Sequence, residues 1–297
     1  MFPIIPANSV TAASGNQEGI FGFGKKVYGI VTAVTNLVSN TGVVSSDVAG
    51  VGTARITLAA CEYGGDKGIF GYGTTNVSNL VSNTGVVASD VAGVGTNRNG
   101  VAACGYGEDK GIFGYGHAAG IVSVTNLVSN VGVVSSDVAG VGTAGYNRAA
   151  CEYGGDKGIF GFGYDGSYVY DSRTNLVSNT GVVSSDVAGV GTARGALGAC
   201  GYGGDKGIFG YGEPGPTAVT NLVSNTGVVA SDVAGVGTVR HSLAATQYGG
   251  DKGIFGFGLA GSTYYAMTNL VSNTGVVASD VAGVGTARCQ LAACSFN

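Results

Sequence analysis

One block of about twenty residues recurs six times along this chain. It reads TNLVSNTGVVASDVAGVGT from Thr268 and returns, with one or two letters changed, from Thr35, Thr125, Thr174 and Thr220, with a version opening at Ser78. The asparagine of each copy falls at Asn36, Asn79, Asn126, Asn175, Asn221 and Asn269, a spacing of 43 to 49 residues. A unit of that length is one supersecondary element, too small to bury its apolar face alone, so it must stack on its neighbours. The repeat therefore predicts one domain over 16–297 and leaves 1–15 as an N-terminal arm. Val, Ile, Phe, Tyr and Ala occur in short runs broken by Gly, Asn, Ser and Asp, and no helical period lasts three turns. That vocabulary is all-β.

Four strands fit each copy. In the second full copy they are GVAACGY, KGIFGYG, VSNLVSN and GVVASDV, with GED, NTG and AGVGT where the chain reverses. Four-stranded units at this period predict a six-bladed β-propeller with four antiparallel strands per blade. The first GIFG, at Gly19, has no preceding small-residue strand, while the last copy stops after LAACSFN. The ring is thus expected to close by pairing the C-terminal strand 291–296 with the N-terminal strand 19–24, which protects both edges.

The segment ARGALGACGYGGDKGIFGYG at 193–212 resembles the kelch family: an arginine, a small-residue strand, a turn, then an apolar strand ending on glycines. Arg194 stands at the family's arginine position, and GIFGYG replaces its double-glycine strand. The chain departs from the pattern in having no tryptophan and in splitting the glycine pair with Tyr211. The resemblance implies a β-propeller. GIFGYG followed by TNLVSNTGVV is also similar to kelch-type repeats of phage structural proteins, which implies a virion, tail or fibre subunit.

Composition excludes several classes. Net charge is −4 and the basic residues are scattered at fixed repeat positions, so no nucleic-acid footprint is expected. No apolar run suggests a membrane span. MFPIIPANSVTAAS lacks the basic start and apolar core of a secretory signal, so synthesis in the cytoplasm is expected, with a virion surface as a possible destination. Cys61, Cys104, Cys151, Cys200 and Cys294 share one repeat position, taken by Thr246 in the remaining copy, and Cys289 is out of place. Equivalent positions on successive repeats are too far apart for disulfides, so these residues read as small buried thiols. No cofactor or metal site is expected.

Two windows change in every copy. One follows GIFGYG: KKVYGIVTAV (25–34), TTNV (74–77), HAAGIVSV (117–124), YDGSYVYDSR (164–173), EPGPTAV (213–219) and LAGSTYYAM (259–267). The other follows VGT: ARIT, NRNG, AGYN, ARGA, VRHS and ARCQ, beginning at Ala54, Asn97, Ala144, Ala193, Val239 and Ala287. Antiparallel strands put both windows on one face, opposite the constant YGGDK and SNTG turns. Seven tyrosines and both histidines fall in these windows. Tyr mixed with Ser, Gly and Asn gives large contact area with adaptable hydrogen bonds.

The candidate ligand-binding residues are accordingly Tyr28, Asn99, His117, Tyr146, Asn147, Tyr164, Tyr168, Tyr170, His241, Tyr264, Tyr265 and Gln290. Joined to them is a ring of five arginines that could hold an anion, Arg55, Arg98, Arg194, Arg240 and Arg288, with Arg148 as a further candidate. The third copy has Gly145 at the arginine position and Arg148 three residues on. Pairing with the Asp47-type acids or with loop carbonyls is the alternative fate of these cations.

The expected function is non-enzymatic recognition of a glycan or protein receptor by the variable face. The alternative is a structural subunit with a virion or fibre partner on the constant face. Two histidines in dissimilar windows, with no nucleophile elbow and no metal-ligand spacing, make an enzyme the weaker expectation.

Overall fold

The computed structural model of the chain describes residues 17–296; the predicted arm lies outside the described residues. The strands form six three-stranded antiparallel sheets and two two-residue ribbons. In the second sheet Ala59–Tyr63 pairs with Lys67–Gly71, which pairs with Ser78–Val81. The same register recurs in the third sheet (Ala102–Tyr106, Lys110–His117, Ile121–Val128), the fourth (Ala149–Tyr153, Lys157–Gly161, Thr174–Val177), the fifth and the sixth. The inner hairpin turns at Gly64 and Gly65, whose φ values of 66° and 77° cost a glycine little. In the first sheet the strand Glu18–Gly22 lies between Thr35–Val38 and the C-terminal strand Ala292–Phe296, with Glu18 opposite Phe296. The expected pairing of the two ends is present, with strand limits one or two residues from those predicted.

The fourth strand differs from expectation. The GVVSSDV segment forms no continuous ladder with its neighbour: it pairs at the isolated bridges Val38 to Val44 and Thr35 to Val48, with the Ser45 amide donating to the Leu37 carbonyl between them. Side chains occupy the other places between them. Ser45 Oγ accepts from the Leu37 amide at 2.9 Å, and Asn36 Nδ2 donates to the Ser45 carbonyl at 3.0 Å. Serine and asparagine thus take over backbone ladder positions, and the segment runs as a strap rather than a strand.

Neighbouring sheets meet through their inner strands: Ala59–Tyr63 packs beside Ala102–Tyr106, that beside Ala149–Tyr153, and so on to Ala292–Phe296, which packs beside Ala59–Tyr63. Four sets of equivalent contacts follow the same order. The apolar one is an edge-on or tilted aromatic pair: Phe23 with Phe70, Tyr72 with Phe113, Tyr115 with Phe160, Phe162 with Phe209, Tyr211 with Phe255, and Phe257 with Phe21, all at 5.1 to 5.2 Å. Beneath each phenylalanine lies the glycine that ends the preceding GIFG; a Cβ on Gly71 would stand 2.6 Å from Phe113 Cζ. Close approach therefore explains that glycine.

The polar contact is a threonine hydroxyl donating to an aspartate of the next copy: Thr53 to Asp90, Thr96 to Asp137, Thr143 to Asp186, Thr192 to Asp232, Thr238 to Asp280, and Thr286 to Asp47. The third contact joins main chains. Gly100 donates to Thr57, Asn147 to Gly100, Ala196 to Asn147, Ser242 to Ala196, Gln290 to Ser242 and Thr57 to Gln290. All six have φ between 50° and 60°. This collar is the last residue of each second variable window.

Each conserved cysteine sulfur provides the fourth contact, lying against the GIFG glycine of the next sheet, as Cys61 does 2.5 Å from a Cβ built on Gly111. All six cysteines are buried free thiols.

Candidate functional site

The arginines are not on the surface. Arg55, Arg98, Arg194, Arg240 and Arg288 are at most 1% exposed, and Arg148 is 4% exposed. Each guanidinium lies 4.1 to 4.4 Å above an aromatic ring: Arg55 on Phe23, Arg98 on Tyr72, Arg148 on Tyr115, Arg194 on Phe162, Arg240 on Tyr211 and Arg288 on Phe257. Those six rings are the middle letter of GFG and GYG and have φ of 61° to 67°, a strained state for an aromatic residue. The stacked cation and the edge-on phenylalanine hold it there. Arg98 then donates to the Tyr115 and Thr96 carbonyls and, at 2.6 Å, to Asn126 Oδ1. Burial lowers the arginine pKa values, to about 10 for Arg55, Arg194 and Arg288, so all remain cations at neutral pH. The predicted anion-binding ring is thus corrected: these guanidiniums are buried inside the fold, where most of their donors meet loop carbonyls and asparagine amides and Arg55, Arg98 and Arg194 lie 3.8 to 3.9 Å from Asp47-type acids.

The third copy keeps the same arrangement by another route. Arg148 reaches back to the vacant place, where its Nε would lie 2.1 Å from a Cβ on Gly145. Its Nη1 donates to Asn175 at 2.9 Å, and Asp171, only 8% exposed, lies 3.5 Å from Nη2. Arg173 in turn bonds Asp171 at 2.9 Å and Thr143 Oγ1 at 2.7 Å. The fourth copy's unusual acids and base therefore accommodate a displaced arginine.

The variable windows pair with each other in every sheet but the second. Asn99 bridges to His117, Gly195 to Glu213 and His241 to Leu259, while Tyr146 pairs with Tyr164 and Lys26 with Arg288 in the short ribbons. Within the third to sixth sheets their side chains join. Tyr146 stacks on Tyr164 with centroids 5.3 Å apart, and Tyr164 lies 4.6 Å from Tyr170. Tyr168 contacts both Tyr146 and His117, and its hydroxyl is 2.9 Å from His117 Nε2. The Tyr164 hydroxyl donates to Glu213 Oε1 at 2.6 Å, and Glu213 Oε2 lies 3.7 Å from His241 Nδ1. Tyr168 and His241 thus belong to one connected patch. Burial and the bond to Glu213 push the Tyr164 phenol far above its usual pKa, and burial with the Glu213 charge raises that of Tyr146. Both stay neutral donors. Tyr168 is 59% exposed over this group.

The other candidates lie elsewhere. Tyr28 is 95% exposed in the first repeat, and Tyr264 and Tyr265 sit on the long hairpin of the sixth, where Tyr264 hydrogen-bonds Cys289. Asn147 and Gln290 belong to the collar, around a cavity of about 90 Å³ also lined by Thr57, Ala196 and Ser242. That space takes a few waters, well under the 300 Å³ or more of small-molecule pockets. Sequence reasoning missed Glu213 as a site residue. The available signal was that it is the only acid of the variable windows outside the fourth copy.

Among the described residues no cluster of three or more His, Cys, Asp or Glu is disposed to hold a metal ion, and no helix is long and apolar enough to cross a membrane. No protein-family model matches this sequence, and comparison with curated proteins finds no significant match.

Proposed function

We propose that the chain is a closed six-bladed β-propeller acting as a non-enzymatic binding module, whose variable rim recognises a glycan or protein surface. The closed form is supported by aromatic, aspartate and collar contacts that each run through six members and return to the first. Recognition is supported by one observation above the rest: residues from the uncopied windows of the third and fourth sheets assemble into a single aromatic patch, Tyr146, Tyr164, Tyr168, Tyr170 and His117, with the Glu213 carboxylate of the fifth at its edge. Rigid rings with polar edges offer contact area at low entropic cost. Its polar atoms bond each other rather than converge on an open point, which favours binding over catalysis. A glycan array and cell-binding assays of the full chain are expected to give a ligand that Tyr146→Ala with Tyr168→Ala abolishes. Binding that ignores this double change would remove the reading.

A second reading, a structural subunit of a virion, tail or fibre, is favoured by a different surface. Val43, Val86, Val133, Val182, Val228 and Val276 are 63 to 65% exposed, one per copy around the strap. Repeated exposed valines suit burial in an assembly. Electron microscopy showing ordered particles that Val43→Ser and Val182→Ser disperse would support it; monomers at all concentrations would count against it.

A further inference from the structure

Along the inner strands, the position after each conserved cysteine faces the central axis. Around the axis it reads Glu62, Gly105, Glu152, Gly201, Gln247 and Ser295, and these residues line one cavity with the cysteines. Long and short side chains alternate over the first five. A Cβ on Gly105 would meet Glu152 Oε1 at 1.6 Å and Glu62 Cγ at 3.2 Å, so both acids extend over that glycine. A Cβ on Gly201 would likewise meet Gln247 Nε2 at 1.8 Å. The two acid side chains thus meet over Gly105, and Ser295 Oγ donates to Glu62 Oε2 at 3.0 Å.

An ionised carboxylate only accepts hydrogen bonds, so two carboxyls bond each other only when one carries a proton. We infer that Glu152 keeps its proton and donates it to the Glu62 carboxylate over Gly105, making this cavity a proton-binding site that links two inner strands. The groups facing the pair from the other elements are the thiols Cys61, Cys104, Cys151, Cys200 and Cys294, the Gln247 amide and the Ser295 and Thr246 hydroxyls; among the described residues no Lys, Arg or His lines the cavity to balance a second negative charge. Burial pushes the Glu152 carboxyl well up, and the Glu62 charge adds to it. The alternation with glycine has a reason in this arrangement, because a side chain at 105 would keep the acids apart.

The direction of the pH effect follows. A carboxyl whose pKa is raised in the folded state contributes stability that is fully present below its unfolded value, about 4.3 for Glu, and is lost as pH rises through the folded value. Infrared spectroscopy of the full chain at neutral pH is expected to show a protonated-carboxyl carbonyl band, absent from Glu152→Gln and shifted in Glu62→Gln, where an amide replaces the acceptor. The wild-type melting temperature is expected to fall as pH rises above the ordinary glutamate range, a fall that Glu152→Gln removes because an amide donates at every pH. Each variant replaces a different partner, so one that folds suffices. A wild-type spectrum without the band, or melting profiles that run parallel in all three proteins, would overturn the proposal.

Discussion

Arg148 Nε lies 2.1 Å from where a Cβ on Gly145 would stand. The third copy has moved its arginine three places along the chain and kept its destination above an aromatic ring, and Gly145 is the space that permits the return. Gly145→Ala should therefore destabilise by about 1 to 3 kcal/mol, the usual cost of overpacking. Arg148→Met should likewise cost about 1 to 3 kcal/mol, since it leaves the buried Asn175 Oδ1 without its donor and the Tyr115 ring without its cation, while Arg173 still pairs with Asp171. Urea unfolding measures both; an alanine variant as stable as wild type would refute this account of Gly145.

Much of this architecture is legible in the letters. The all-β class, three of the four strands in each copy and the pairing of the first and last strands follow from periodicity and from counting which strand each end lacks. Burial of the cysteines followed from their shared position. What was not legible was direction. Arg194 reads as a rim cation because nothing in a sequence shows that the neighbouring Tyr211 adopts φ 67° and that a ring of the preceding sheet lies under the guanidinium. The strap reads as a strand because alternating valines look alike whether the ladder is made by main chain or by Ser45 and Asn36. The patch was readable residue by residue, but its connection through Glu213 depends on contacts between copies.

Exposed rim residues should separate binding from stability. Tyr168 is 59% exposed and its principal contacts are His117 and Tyr146. Tyr168→Ala is expected to change unfolding free energy by less than about 1 kcal/mol while weakening ligand binding about tenfold or more, the scale of a hot-spot aromatic. Titration of the ligand found by the array, beside thermal melting, distinguishes the two effects.

Thr246 stands where five copies have cysteine, and its Oγ1 is buried without a hydrogen-bond partner. Leaving a hydroxyl unsatisfied in the core costs about 1 to 3 kcal/mol. Thr246→Cys fills the site with the side chain its neighbours accept and is expected to raise the urea midpoint. The native thiols should resist alkylation, since burial raises Cys200 to about 12. A lowered midpoint would show that the threonine has a role of its own.

The two chain ends meet at a contact weaker than its equivalents. In five copies an arginine Nη donates to an asparagine Oδ1, as Arg240 does to Asn269 at 2.7 Å. At the seam both Arg288 Nη2 and Asn36 Oδ1 are buried without a partner. Hydrogen exchange is expected to be faster in Glu18–Gly22 and Ala292–Phe296 than in Lys206–Gly210 and Gly198–Tyr202, and truncation before Ala292 to expose a full strand edge and promote aggregation. Equal protection of the two sheets would contradict this.

Acid should unfold the molecule through its six repeated aspartates. Burial alone would raise the Asp280 carboxyl, but the bonds from Thr238 and Asn269 outweigh it and hold the group below its usual value, as they do for Asp47, Asp90, Asp137, Asp186 and Asp232. A depressed carboxyl contributes stability that is present above the unfolded pKa, about 3.9, and is lost as pH falls through the folded value. Each side chain is partly exposed, so a single contribution is small, yet six titrate in the same range and each links two successive copies. Stability should therefore drop steeply below about pH 4, a window distinct from the loss expected at higher pH from the axial glutamates. Asp280→Asn keeps the acceptor oxygen while removing the charge, and should shallow that acid limb in melting curves taken between about pH 2 and about pH 5. An unchanged limb would place the acid sensitivity elsewhere in the fold.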